Sequence, residues 1–333
     1  MSKKKINWKA KWETAKQVAS KTGRVSQSVA NGVFGDRLDK WNLPIAQELT
    51  FIHQNSPLPL DKENLKSLLT QSKICILVHG LVSDETMWKY EPSTDYGKEV
   101  QKEFGYIPFY VRYNTGRHIS DNGQDLDQLL SELIKNSTTK IKEIIFFTHS
   151  MGGLVTRSAC YYGKKRKSKW IPLAKKIFYI GSPHHGAPLE KFGNTVTTVL
   201  GKIPNPFTYL TKEAINLRSA GIKDLRYGFL VEEDWKGKDL DSFVLTEKTH
   251  VPLLPSAEHY IITGTVGKIS NNLASEFFGD AIVGKWSSQG KSGNPKYNLE
   301  FKPQNAVEIA GVSHIQLMHD AKVYDALRGF LAK

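Results

Sequence analysis

EIIFFTHSMGGLVTRSACYY, Glu143 to Tyr162, changes character twice. Ile144 to Phe147 form an apolar run of β-branched and aromatic residues, the composition of a buried strand. The polar knot Thr148-His149-Ser150-Met151-Gly152-Gly153 follows. Leu154, Val155, Ser158, Ala159 and Tyr162 then recur at helical spacing. A strand, a sharp turn on Ser and a helix folded straight back make the arrangement in which a serine hydroxyl stands clear of the backbone at a helix N-terminus. The turn demands small neighbours, and Gly152 and Gly153 supply them on the helix side. The pattern usually reads G-x-S-x-G, and here Thr148 replaces the first Gly. The plainer reading is a serine that only caps a helix.

Working outward, Lys73 to Val78 (KICILV) is a near-continuous apolar strand, as expected where helices cover both sheet faces. It runs into His79-Gly80-Leu81. Further strands are expected at Tyr106–Tyr113, Lys175–Gly181, His259–Gly264 and Ala306–Val312, with helices at Asp84–Phe104 and Leu126–Ile134 and an amphipathic helix at the C-terminal end. Strands alternating with helices predict an α/β fold around a mostly parallel sheet. The polar loop Asn114 to Gly123 reads as turn chemistry, with Arg117 and His118 as its possible substrate contacts. Gly186 to about Pro255 breaks the rhythm with Pro204, Pro206, Pro252 and Pro255, and is expected to be a lid-like insertion over 187–255. Its Phe207, Tyr209, Leu210, Leu230, Leu253 and Leu254 either line an acyl pocket or pack the insertion down.

Residues 1–70 read as an N-terminal helical extension and 71–333 as the catalytic domain, with Asn55 to Pro59 (NSPLP) as a linker. Trp8 and Trp12 share a helical stripe with Ala15 and Ala19, and lysines crowd around it. Such a helix lies on an anionic membrane or packs on the body of the protein. The 46 basic and 33 acidic residues give a net charge of +13, which suits acidic partners. No nucleic-acid motif accompanies it, so no nucleic-acid partner is expected. The first 24 residues lack an apolar signal-peptide core, and the cytoplasm is the expected location, with peripheral membrane contact as a variant. Cys75 and Cys160 read as buried thiols. No His/Cys cluster has metal spacing, and neither metal nor cofactor is expected.

A serine needs a base to take its proton and a carboxylate to orient that base. His184, His185 and His314 all sit at strand ends and compete for the first role. Asp280, in a glycine-bracketed turn, competes with Glu276 and with Glu232 to Asp234 for the second. The set HGL (79–81), THSMGGLV (148–155), GSPHHGAP (181–188), GDAIVG (279–284) and GVSH (311–314) resembles the lipase/esterase branch of the α/β-hydrolases. It is similar to bacterial triacylglycerol lipases and to the glycosylphosphatidylinositol inositol-deacylase-like group. The resemblance covers roughly residues 71 to 333 and implies the order Ser, Asp or Glu, His. No acid lies between Ser150 and His184, so the implied triad is Ser150, Asp280 and His314, with His319 inside the last helix. The N–H groups of Leu81 and Met151 are the implied oxyanion donors, and His79, Gly80 and His149 the substrate contacts. Gln316 stands where lipases of this look place a calcium-binding Asp, so calcium dependence is not expected. The implied activity is serine hydrolysis of carboxylic esters, lipid esters foremost. The alternatives are a phospholipase or deacylase on an anionic head group, or a non-catalytic hydrolase fold that binds membranes through its basic surface.

Overall fold

A computed structural model describes residues 31, 47–90, 93–187, 219–238, 247–265 and 285–333. Among the described residues eight strands form one sheet in the order β2-β1-β4-β3-β5-β6-β7-β8. The strands are β1 (Thr50–His53), β2 (Ser56–Pro57), β3 (Lys73–Val78), β4 (Ile107–Arg112), β5 (Glu143–His149), β6 (Ala174–Ile180), β7 (Glu258–Thr265) and β8 (Ala306–Ala310). From β4 to β8 every neighbouring pair is parallel, whereas β1 runs antiparallel to both β2 and β4. Among the described residues the helices of seven or more residues are α1 (Lys62–Leu68), α2 (Tyr96–Phe104), α3 (Ile119–Asn136), α4 (Met151–Arg166), α5 (Ala220–Tyr227) and α6 (Ala321–Leu331).

Strand alternation divides the core between the two faces. Ile74, Ile76, Val78, Ile144 and Phe146 join one apolar cluster with Leu130 of α3 and Leu154 of α4. Their neighbours Cys75, Leu77, Ile145 and Phe147 join the other, with Val100 of α2 and Leu327 of α6. Both cysteines are free and buried. Among the described residues no helix is long and apolar enough to cross a membrane.

Three expectations need correction. The catalytic fold begins before residue 71, because Phe51 and Leu65 are core residues and β1 pairs with β4. The NSPLP segment is therefore no linker: Asn55 ends the turn after β1, and Ser56–Pro57 are β2 itself. Pro57 is tolerated there because β2 is an edge strand, where a missing N–H breaks no ladder. Residues 1–30 and 32–46, with Trp8 and Trp12, lie outside the described residues. Helix α3 starts at Ile119 rather than Leu126, and Gly123 lies inside it. A Cβ at Gly123 would overlap Ser158 on α4, so close helix packing outweighs the poor helix propensity of that stretch. His319 lies between the short 3₁₀ turn Gln316–Met318 and α6, not in the helix.

The insertion between β6 and β7 is described over 187, 219–238 and 247–257. Leu230 and Leu254 are buried in the core, and Leu253 packs against it; Phe207, Tyr209 and Leu210 lie outside the described residues. Helix α5 is latched to the loop after β4. Asp224 accepts from the Ile119 N–H at 2.8 Å and from His118 Nδ1 at 3.0 Å. The His118 ring stacks on Trp235 at 3.6 Å, and Trp235 Nε1 donates to Ser120 Oγ at 2.9 Å. Burial pushes the Asp224 carboxyl up to about 6, against the pull of His118. A raised folded-state value means that the contribution of Asp224 is complete below pH about 4 and fades as pH rises through 6. Asp224→Asn removes that titration. Urea unfolding at pH 4 and pH 7 should show the stability difference moving in favour of the variant by about 1–3 kcal/mol at the higher pH.

Candidate active site

The site lies at the C-terminal ends of β3, β5, β6 and β8, the rim where parallel sheets carry their ligands. Ser150 follows β5 at φ 52° and ψ −121°, a backbone region that costs a non-glycine residue on the order of 1–3 kcal/mol. Its own N–H donates to Ile180 of β6 at 2.9 Å. Its side chain occupies the N-cap position of α4 yet makes no capping hydrogen bond, which removes the plainer reading of this serine. The first turn of α4 carries no acid, so the helix N-terminus keeps its attraction for negative charge.

Neighbouring sequence explains how the turn closes. A Cβ on Gly152 would overlap the carbonyl oxygens of Val78 and His79, and one on Gly153 would overlap Ser182. Thr148 fits in place of the usual Gly because its hydroxyl donates to the Phe178 carbonyl at 2.8 Å.

The HGL loop abuts Ser150. A Cβ on Gly80 would lie 3.0 Å from Ser150 Cβ and 2.9 Å from His149 Nδ1. The Gly80 carbonyl is held by Ser83 Oγ at 2.8 Å and by His79 Nδ1 at 2.9 Å. A carbonyl only accepts, so His79 carries its proton on Nδ1. The His79 ring stacks on Tyr113, whose hydroxyl donates to the His79 carbonyl at 2.7 Å. Just beyond Leu81, Val82 sits at φ 59° and is buried. For a β-branched side chain that is an outlier, and the loop holds it there with the Val82 N–H bonded to Thr115 Oγ1 at 3.3 Å.

His314 reaches the same rim from the turn after β8 and is buried. Its carbonyl accepts from His149 Nε2 at 2.9 Å, and the two rings lie 4.7 Å apart. Gly181 at the end of β6 makes room for it: a Cβ there would come within 3.1 Å of His314 Nδ1. Gln316 Oε1 accepts from the Ser313 N–H and hydroxyl at 3.0 and 2.6 Å, so Gln316 braces the turn that carries His314. Among the described residues no cluster of His, Cys, Asp or Glu could hold a metal.

The structure thus brings together Ser150, Gly80, His149 and His314, with Leu81 and Met151 adjoining them in the chain. His79, Gly80 and His149 were expected as substrate contacts. The His79 and His149 rings are both buried, and burial pulls each below the ordinary imidazole range, His149 the further, with His314 adding to the effect. Asp280 and its alternative Glu276 lie outside the described residues. The other acid candidates are engaged elsewhere: Asp234 accepts three backbone N–H groups, Glu232 pairs with Lys236, and Glu233 faces Lys165 at 3.8 Å. Arg117 pairs with Asp125 at 2.5 Å. His184 packs on Tyr179 and Phe301, and His185 bonds the Gly290 carbonyl at 2.8 Å. Sequence reading missed Gly181 as the seat of His314; its position between a buried strand and two histidines was the available signal.

Residues 69–203 match the model of the family described as "Putative serine esterase (DUF676)". That stretch contains the HGL loop and the Ser150 turn and ends before His314. No curated protein matches the chain. Among solved structures, the propeptide form of the Bacillus licheniformis lipase BlEst2 aligns with a TM-score of 0.50 at 14% identity, over 79% of this chain and 51% of that chain. Its mature form gives 0.48 at 14% identity, over 78% and 91%. The Pyrococcus furiosus esterase PF2001 gives 0.46 at 15% identity, over 79% and 82%. At such identities the likeness is one of fold.

Proposed function

We propose that this chain, which has the α/β-hydrolase fold and matches a serine-esterase family over residues 69–203, is a carboxylic-ester hydrolase that works through an acyl-enzyme on Ser150. His314 takes the Ser150 proton as the hydroxyl attacks the ester carbonyl, then passes it to the leaving alcohol. Asp280 is the carboxylate that holds His314 in the right tautomer. Water repeats the sequence on the acyl-enzyme, with His314 again as base, and the acid leaves. The observation that carries this reading is the strained Ser150 turn, whose hydroxyl caps nothing, tied through His149 to the backbone of His314.

The N–H groups of Leu81 and Met151 hold the oxyanion. For Leu81 the support is the fixed Gly80 carbonyl. In a trans peptide the C=O and the following N–H point opposite ways, so pinning Gly80 O to Ser83 and His79 turns the Leu81 N–H the other way. His149 is a strut, not a second base: its Nε2–H is committed to the His314 carbonyl, and burial opposes protonation of the ring.

The substrate class is an ester with an apolar acyl chain, as in a lipid. Its support is the insertion between β6 and β7, since α5 reaches the Ser150 turn: a Cβ on Gly221 would lie 3.0 Å from Met151 Cε. The test is a chain-length panel of p-nitrophenyl esters, with rapid-quench mass spectrometry of the trapped enzyme. Turnover should rise from acetate to longer chains, and the acyl mass should sit on the peptide containing Ser150. A burst with the acyl group on another residue, or none on any, would overturn the acyl-enzyme. A flat or falling chain-length series would overturn the lipid-like substrate.

A further inference from the structure

We propose that Thr115 is a positioning residue for the oxyanion donors: its hydroxyl holds the Leu81 loop in place, and helix α5 seats it. The inference rests on the assignment of Leu81 and Met151 as those donors, and it names what fixes the first of them.

Each peptide unit is planar, so the chain at Leu81 is fixed when the units on both its sides are held. On one side the Gly80 carbonyl accepts from Ser83 and His79. Those contacts lie within the loop, so they set its shape but not where it stands. On the other side the Val82 N–H donates to Thr115 Oγ1 at 3.3 Å, across 33 residues of chain. Val82 is buried at φ 59°, a conformation that a β-branched residue keeps only where its surroundings over-determine it. The bond from Thr115 supplies that constraint and ties the loop to the end of β4. Tyr113 fastens the loop at its entry, through the His79 carbonyl, where β3 is already held in the sheet.

Thr115 is 1% exposed and is locked from two directions. Asn114 Oδ1 accepts from the Gly116 N–H at 3.0 Å. The Asn114 carbonyl accepts from the Arg117 N–H at 3.3 Å and from Asn122 Nδ2 at 2.9 Å, so α3 braces the turn. From α5, the Gly221 N–H donates to the Gly116 carbonyl at 3.1 Å. A Cβ on Gly221 would overlap the Thr115 carbonyl oxygen and lie 3.0 Å from Met151 Cε. Helix α5 therefore touches both donor segments: Met151 directly, and the Leu81 loop through Thr115.

Thr115→Val keeps nearly the same volume and removes the acceptor. Its kcat for p-nitrophenyl acetate should fall about 10- to 100-fold, with KM little changed, because a misplaced donor costs less than an absent one. Thr115→Ser restores the oxygen and should recover most of wild-type kcat, although the lost methyl lowers Tm. An aryl trifluoromethyl ketone reads the oxyanion itself. Ser150 Oγ adds to its carbonyl carbon, the proton passes to His314, and the carbonyl oxygen takes the negative charge. Its Ki should rise in Thr115→Val by the factor by which kcat/KM falls, since both report the same donor. If Thr115→Val does not fold, Thr115→Ala against Thr115→Ser makes the comparison, as both lack the methyl and differ in the oxygen. A wild-type enzyme that forms no ketone adduct on Ser150 would overturn both this role and the acyl-enzyme. With that adduct formed, wild-type kcat in Thr115→Val, an unchanged Ki, or equal losses in the Val and Ser variants would overturn the role of Thr115 alone.

Discussion

Ser150→Ala should lower kcat for a soluble ester by about 10⁴- to 10⁶-fold, with the folded state intact. The size follows from the roles in the proposed reaction: with no nucleophile, His314 and the oxyanion donors have no bond to help form. That the fold survives follows from what the hydroxyl does in the free enzyme. It makes no capping bond to α4, and the Ser150 N–H, not the side chain, ties the turn to Ile180. A companion variant separates chemistry from strain. At φ 52° glycine is less restricted than alanine, so Ser150→Gly should melt higher than Ser150→Ala while being as inactive. Circular dichroism and p-nitrophenyl acetate turnover on both variants are sufficient. If Ser150→Ala keeps more than a few per cent of wild-type kcat, the nucleophile lies elsewhere.

The Ser150 turn was legible because strand, glycines and helical period agree over a single short stretch. β3 and the elbow strand were legible for the same reason: parallel strands covered on both faces read as unbroken apolar runs. The edge of the sheet was not. TFIH at β1 is too short to show a period, and Pro57 reads as a linker unless it is known to sit on an edge strand. The start of α3 was hidden by Ser120, Asp121, Asn122 and Gly123, which look like a turn. Only the contact of Gly123 with Ser158 makes glycine the fitting residue in that helix. Partners far apart in sequence were invisible as well: nothing local to Arg157 announces that it faces His184 and Val251. Chain order, through the resemblance, singled out His314, but its seat over Gly181 needed three dimensions.

His314→Ala should cost kcat on the order of 10⁴-fold or more, while His184→Ala and His185→Ala should each stay within about tenfold of wild type. The contrast rests on what each imidazole touches. The His314 ring lies over Gly181 and 4.7 Å from the ring of His149, the residue next to the nucleophile. His184 has its Nδ1 against Arg157 and its faces against Tyr179 and Phe301, and His185 is held between Gly290 and Lys248. Burial holds the His185 imidazole down at about 4, with Lys248 and Arg157 adding to the effect, and His184 below the ordinary range too. Groups so depressed are not bases that titrate near neutrality. The pH profile of kcat/KM should therefore be unchanged in His184→Ala and His185→Ala. His184→Ala should instead lower Tm, since it removes ring packing beside a buried cation. A folded His184→Ala enzyme as inactive as His314→Ala would move the base away from His314.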